Sequence, residues 1–344
     1  VSRNILITGG AGFIGGNLTH HWCAAHPDDR VVVLDALTYA GHRATIQPLI
    51  EAGRILFVEG NITDRPMLDR LLSQQQISAV AHLAAESHVD RSISGPAAFL
   101  RTNVLGTFTL LEAFLAHWQG AGRPHHWRFL QVSTDEVYGS LQAGDPAFCE
   151  ASPYAPRSPY SASKAASDHL ALAWHHTYGL PVLVSNCSNN YGPYHYPEKL
   201  IPLTLLRIIR GEPIPVYGSG HNVRDWLYVD DHCRALDLIL TRAMPGRTFC
   251  IGGCNEIRNI DLVQMCCSLL DELAPQYGLA LPVLPSHQLI THVADRPGHD
   301  LRYAIDARRI EAELGWAPQV SVQEGLRRTV IWYLTHRDWW EPLL

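Results

Sequence analysis

Ser133-Thr-Asp-Glu136 and Tyr160-Ser-Ala-Ser-Lys164 are the two stretches of this chain whose side chains could carry chemistry. In the second, a phenol and an ammonium stand four residues apart, on one face of a helix. A cation beside a phenol favours the phenolate, so the pair predicts a Tyr160 pKa drawn toward neutrality and a general base for a hydroxyl. Such pairs recur by chance on solvated surfaces, and only context makes this one functional. Asp135 and Glu136 could supply an acid at one carbon and a base at the next, as eliminating water requires. Neighbours in an extended strand point to opposite faces. Both can therefore reach one pocket only from a turn or first helical turn beyond the strand end. Mutual repulsion and burial then raise one pKa and keep that acid protonated near neutral pH. The plainer alternative is a capping pair opening a helix, since Asp is a good N-cap.

Thr8-Gly-Gly-Ala-Gly-Phe-Ile-Gly15 offers a site for an anion. Gly10, Gly12 and Gly15 satisfy G-x-G-x-x-G, and Gly9 adds a G-x-x-G-x-x-G spacing. Glycine permits the tight turn, the close backbone approach to a pyrophosphate and the packing of helix on strand. The pyrophosphate then rests on a helix N-terminus. A Gly-rich turn alone is as often structural. Here Asp35 follows about twenty residues beyond Gly15, where an acid takes ribose hydroxyls and repels a 2′-phosphate. This predicts NAD rather than NADP. Asn61 and Ile62, ending the third strand, are placed to flank an adenine; by itself Asn61 reads as a turn residue.

The elements that must hold these groups alternate. Short, near-continuous apolar runs at Asn4–Thr8, Val31–Asp35, Ile55–Glu59, Ala79–Leu83, Arg128–Ser133 and Pro181–Ser185 read as strands buried on both faces. Phe13–His26, Pro66–Gln75, Pro96–Trp118 and Tyr160–Tyr178 have helical length and spacing. The alternation predicts an α/β fold: a Rossmann-like, doubly wound parallel sheet with a smaller interleaved C-terminal substrate domain. Pro and Gly become frequent from about Ser188, and segments near 229–252 look like returns to the sheet. Residues 1–187 with those returns are expected to form the NAD-binding domain, and 188–228 with 253–344 the substrate domain. Pro96–Trp118 and Tyr160–Tyr178 are apolar beyond one stripe, which suggests a second buried face and a two-fold dimer.

Composition bounds the rest. The 344 residues are 47% hydrophobic and carry a net charge of −6, as in an ordinary globular protein. No basic field is expected to attract nucleic acid or membrane, so an anionic small ligand has to be met by local cations. The start of the chain, Val1 to Thr8, reads as strand rather than signal peptide, and no apolar run is long enough to span a bilayer. The eight cysteines lack framework spacing, and reduced thiols in a cytoplasm are expected. Cys250, Cys254, Cys266 and Cys267 do not match a zinc finger, so no metal is expected.

The Gly loop, Asp35, Tyr160 and Lys164 together resemble the extended short-chain dehydrogenase/reductase family. Within it, further stretches narrow the resemblance to the nucleotide-sugar 4,6-dehydratases that act on a thymidine-diphosphate hexose. These are LAAESHVDRSI (Leu83–Ile93), STDEVYG (Ser133–Gly139), SNNYGPY (Ser188–Tyr194), PEKLIP (Pro197–Pro202), NVRDWLYVDD (Asn222–Asp231) and DRPGHDLRYAID (Asp295–Asp306). The resemblance covers nearly the whole chain. It implies that Thr134 bonds the sugar's 4-hydroxyl while Tyr160 takes its proton and NAD its C4 hydride. Glu136 then removes the C5 proton, Asp135 protonates the departing 6-hydroxyl, and the hydride returns to C6.

It also implies an NAD site of Gly9, Gly12, Phe13, Ile14, Gly15, Asp35, Leu37, Thr38, Asn61, Ile62, Leu83, Ala84, Ala85, Ser87, Thr102, Tyr160, Lys164 and Asn190. The implied substrate site is Ser87, Thr134, Asn189, Lys199, Leu200, Pro215, Tyr217, Arg224, Asn259, Arg296 and His299, with the cations gripping the diphosphate. A homodimer through a four-helix contact is implied as well. Two departures from the family stand out: the His195-Tyr196 pair, and a long stretch at Ala274–His287. Both are expected to stand clear of the chemistry. A 4-epimerase or decarboxylase on the same scaffold needs Tyr160, Lys164 and NAD but not the carboxyl pair. A non-enzymatic dinucleotide sensor could keep the Gly loop yet lose the catalytic base.

Overall fold

The computed structural model describes residues 2–344; Val1 lies outside the described residues. The strands are β1 (Asn4–Thr8), β2 (Arg30–Asp35), β3 (Ile55–Glu59), β4 (Ala79–His82), β5 (Arg128–Thr134), β6 (Val182–Cys187), β7 (Asn189–Tyr191), β8 (Ile214–Tyr217), β9 (Val223–Tyr228), β10 (Thr248–Ile251), β11 (Glu256–Arg258) and β12 (Ile290–Val293). Seven of them form one parallel sheet in the order β10-β6-β5-β4-β1-β2-β3.

Why this sheet is buried on both sides shows in its alternation. Ile5, Ile7, Val31 and Val33 enter one apolar core, while Leu6, Val32 and Leu34 enter the core on the opposite face. Helices cover both faces, as parallel crossovers demand. The strand order reverses direction between β1 and β4, and the crevice outside the carboxyl ends of these strands is where such sheets bind ligands.

Most elements begin and end where the sequence places them. The helix Pro159–Tyr178 opens on a Ser158–Ser161 capping box with Pro159 in its first turn, and Gly179 stops it at φ 73°. The segment read as one helix from Pro96 to Trp118 is instead Pro96–Phe99, a widened π turn at Leu100–Gly106, and a helix Thr107–Gly120. Tertiary bonds hold that turn open. Asn103 O accepts from Thr107 and Ser167 hydroxyls, both at 2.6 Å, and its side-chain amide reaches Glu86 O and Ser163 Oγ.

The later strands build a second layer. β7, β9 and β11 form a three-stranded sheet, and β8 pairs with β12. An aromatic core including Tyr191, Trp226, Tyr228, Trp332, Trp339 and Trp340 packs behind them. The helix Val229–Arg242 and β10 carry the chain back to the large sheet. Within the long Ala274–His287 stretch, Ser286 is buried and its N–H donates to Asp271.

Candidate active site

At the end of β1 the backbone turns sharply. Gly9 lies at φ 70°, and a Cβ there would meet Ala84 N at 2.7 Å. A Cβ on Gly15 would stand 2.1 Å from Gly9 O, so only glycine lets this helix approach its strand. The helix Phe13–Ala25 opens at Gly12 with no side-chain cap, which leaves its first N–H groups for an anion. At the end of β2, the Asp35 carboxylate accepts from Ala11 N at 2.9 Å and Leu37 N at 2.8 Å. Its remaining lone pairs can still take hydroxyl protons.

A hollow of about 230 Å³ follows these strand ends. Gly9, Gly12, Phe13, Ile14, Gly15, Asp35, Thr38, Asn61, Ile62, Leu83, Ala84, Ala85, Ser87 and Thr102 all line it. Leu37 does not. It adopts φ 46° to present its N–H to Asp35, and its side chain packs on the core. Asn61 is both wall and turn residue, since its Oδ1 accepts from Thr63 N and Oγ1. Glycines a Cβ would block, a free helix N-terminus and an acid at the second strand end fit a dinucleotide.

A second hollow, about 480 Å³, adjoins the first; Phe13, Ile14, Ser87, Cys187, His195 and Lys199 line both. All eleven residues implied for the substrate line this one, together with Asp135, Glu136 and Asn190. Arg224 is buried, anchored by Asp300 O at 3.0 Å and lying 4.3 Å over the Tyr303 ring. Arg296 faces Asp90 at 3.7 Å, and Lys199 donates to Ser87 O at 3.2 Å. The Oδ1 atoms of Asn189 and Asn259 are buried without partners. A larger hollow of about 760 Å³ behind Tyr138 has a mostly apolar wall and none of these groups.

Asp135 and Glu136 lie in a short 3₁₀ turn that follows β5, so both face the second hollow. The cap of that turn is Thr134, not Asp135: Thr134 Oγ1 accepts from Glu136 N at 3.3 Å. Burial pushes the Asp135 pKa well above the carboxylate range, and Glu136 and Asp225 push the same way. Burial also raises Glu136, but Arg296, Arg224 and Lys199 pull it back. Both carboxyls are therefore raised, Asp135 further than Glu136, so Asp135 is the one of the pair that holds its proton longer.

Tyr160 and Lys164, implied for the NAD site, are buried and line neither hollow. Lys164 Nζ donates to Val132 O at 2.8 Å. The expected drop in the Tyr160 pKa is not found in the chain alone. Burial, then Glu136, Cys187 and Asp135, hold it well above its ordinary value. Two carboxyls and a dry setting therefore keep the phenol neutral.

Motif spacing missed His195. It stacks on Phe13 at 4.2 Å and lines both hollows, so this departure does not stand clear of the chemistry. Burial, helped by Lys199, lowers its pKa to about 3 and keeps the ring neutral. The signal was there: a polar ring in a stretch whose neighbours, Asn189, Asn190 and Lys199, were already assigned to the site.

Comparison with known proteins narrows the reading. A family model described as GDP-mannose 4,6 dehydratase matches residues 6–329. A dTDP-glucose 4,6-dehydratase of Neisseria meningitidis serogroup B is 52% identical over 344 residues, covering 99% of this chain and 96% of that protein. The chain belongs to the dTDP-glucose 4,6-dehydratase family. Another such dehydratase, from Xanthomonas campestris pv. campestris, is 53% identical over 342 residues, covering 98% of this chain and 95% of that one. The solved structure of the dTDP-glucose 4,6-dehydratase of Streptomyces venezuelae, with NAD and dTDP bound, superposes with a TM-score of 0.89. It shares 48% identity and covers 99% of this chain and 100% of its own. The family model and the relatives differ in the nucleotide and hexose they name; both name a 4,6-dehydratase.

Proposed function

We propose that this protein is an NAD-dependent dTDP-glucose 4,6-dehydratase, converting its substrate to the 4-keto-6-deoxy sugar. The observation that carries the reading is the Asp135–Glu136 pair, turned into one hollow beside Thr134, with both carboxyls raised and Asp135 the more strongly. A 4-epimerase or decarboxylase has no use for such a pair. Thymidine as the nucleoside is taken from the relatives. Residues 1–187 with 229–252 serve as the NAD-binding domain, and 188–228 with 253–344 as the substrate domain.

In this mechanism Lys199, Arg224, Arg296 and His299 grip the diphosphate, with Arg suited to a forked hold. Thr134 orients the 4-hydroxyl and Tyr160 takes its proton. The Gly9–Gly15 loop, Asp35 and Lys164 would hold NAD, which would supply the hydride acceptor for C4 and, once reduced, the hydride donor for C6. The 4-ketone acidifies C5, Glu136 removes that proton, and Asp135 protonates the leaving 6-hydroxyl. Incubating the protein with dTDP-, UDP- and GDP-glucose should give a 4-keto-6-deoxy product, fastest with dTDP-glucose. A 4-epimer with no 6-deoxy sugar, by mass spectrometry and NMR, would overturn the assignment.

The working unit is a homodimer. Leu100, Leu105, Phe108 and Tyr178, on the helical segments around 96–120 and 159–178, are large apolar residues exposed on the single chain, and these segments pack together. A second copy meeting this face completes a four-helix contact. Sedimentation at micromolar concentration should show twice the chain mass; monomer alone would refute it. Eight free cysteines suit a reducing cytoplasm, and among the described residues no helix is long and apolar enough to cross a membrane.

A further inference from the structure

Lys164 and Asp168 stand one helical turn apart, both in the interior, and Asp168 is fully buried. A carboxylate in such a place needs donors. Its Oδ2 accepts from Tyr154 OH at 3.0 Å and from Asn186 Nδ2 at 3.2 Å. The same Asn186 amide reaches Thr134 O at 3.2 Å, and Asn186 Oδ1 accepts from Tyr138 OH at 3.2 Å. Among the described residues Asp168 Oδ1 meets no donor within hydrogen-bonding geometry, though the Ser133 side chain helps to lower its pKa. Lys164 makes no ion pair with it and bonds Val132 O instead. The two charges act on each other through dry protein, where attraction reaches further than in water.

The other titratable groups packed here do not supply that charge. His82, held between Thr8 and Thr107 hydroxyls, is lowered to about 3 by burial and is neutral. Burial raises the Cys187 thiol to about 12 and pushes Tyr138, Tyr154 and Cys250 higher still. His169 lies outside, its ring 5.0 Å from Tyr154. Asp135 and Glu136 bear on Tyr160. Burial alone drives Lys164 toward its neutral form, and Asp168 is the first group that opposes it. Burial likewise raises Asp168, with Lys164 the first influence drawing it back down.

We propose that Asp168 is a positioning residue for the C4 oxidation: its carboxylate, one helical turn from Lys164, is the counter-charge to that ammonium and, through Asn186, fixes the Thr134 backbone. This rests on the dehydratase reading above. Asp168 touches neither sugar nor dinucleotide. It works by sustaining the cation that favours the Tyr160 phenolate, and by holding the strand end that carries Thr134.

The test compares wild type, Asp168→Asn and Asp168→Glu in the pH dependence of kcat/KM, with NAD affinity and melting temperature measured alongside. The Asn variant should show a narrowed profile. Its alkaline limb, on which Lys164 loses charge, moves down by about one pH unit, while its acid limb, on which Tyr160 loses a proton with Lys164 still charged, does not rise. Glu should return the alkaline limb toward wild type. Lower activity with an unmoved alkaline limb would overturn the proposal, because a merely structural role changes height and not position. Should the Asn variant not fold, Tyr154→Phe removes one donor from Asp168 and should shift the alkaline limb the same way by less; an unmoved limb again refutes it. A wild type inert toward dTDP-glucose counts against the functional reading alone. Phenolate absorbance of the NAD-loaded protein, referenced to Tyr160→Phe, then decides Asp168 without turnover.

Discussion

Tyr160→Phe loses roughly 100- to 10,000-fold in kcat while the protein stays folded, because general-base catalysis is of about that size. The change removes one oxygen from a buried ring that meets Phe99 edge-on at 6.3 Å, so packing is nearly preserved. What disappears is the group proposed to take the 4-hydroxyl proton. Without that first step no ketone forms, C5 stays non-acidic, and both carboxyls are left with nothing to do. Neither keto sugar nor oxidised intermediate should be detectable above the residual rate. The resting state sharpens this expectation. Since burial and two carboxyls hold the phenol neutral, wild-type activity should rise with pH on its acid side, and the Phe variant should lose that limb. A steady-state assay across pH, with melting temperature as a control, decides it. A Phe variant within tenfold of wild type would remove Tyr160 from the mechanism.

How much of this was legible in the sequence depends on the range of the physics involved. The Gly9–Gly15 loop could be read because its glycines answer to local geometry: a positive φ at Gly9 and a Cβ clash at Gly15. The buried strands could be read because each short apolar run feeds two cores at once. The turn holding Asp135 and Glu136 follows from strand pleating alone. Side-chain direction in loops did not follow. Leu37 sits beside Thr38 in sequence, yet it turns to the core so that its N–H can serve Asp35. Nor could the π turn be foreseen, since Asn103 earns it through partners as distant in sequence as Ser163 and Ser167. The Tyr160 pKa went the other way for the same reason. The helical spacing reveals Lys164 but not the carboxyls that the fold brings opposite. The substrate hollow draws its wall from segments more than 200 residues apart, and resemblance rather than spacing gathered those residues.

Glu136→Gln should separate the two halves of the reaction. Tyr160, Lys164 and Thr134 are untouched, so C4 oxidation proceeds. Gln keeps the shape of Glu but cannot accept the C5 proton, and elimination should slow by roughly 100- to 10,000-fold. The variant is expected to accumulate 4-keto hexose and reduced dinucleotide in equal amounts within one turnover. The electrostatics favour Glu136 over Asp135 for the proposed base. Burial raises both, but Arg296, Arg224 and Lys199 oppose it at Glu136, while at Asp135 the neighbouring Glu136 and Asp225 add to it, so Asp135 is the better fitted to keep a proton for the leaving hydroxyl. Asp135→Asn should therefore also stall after oxidation, for want of an acid. With intact enzyme and substrate deuterated at C4, the label should reappear at C6 of the same molecule. Mass spectrometry of product from mixed labelled and unlabelled substrate reads this directly. Label exchanged between molecules, or lost to solvent, would contradict a hydride kept in one site. An E136Q protein that releases 4-keto-6-deoxy sugar at the wild-type rate would show that the C5 proton leaves by another base.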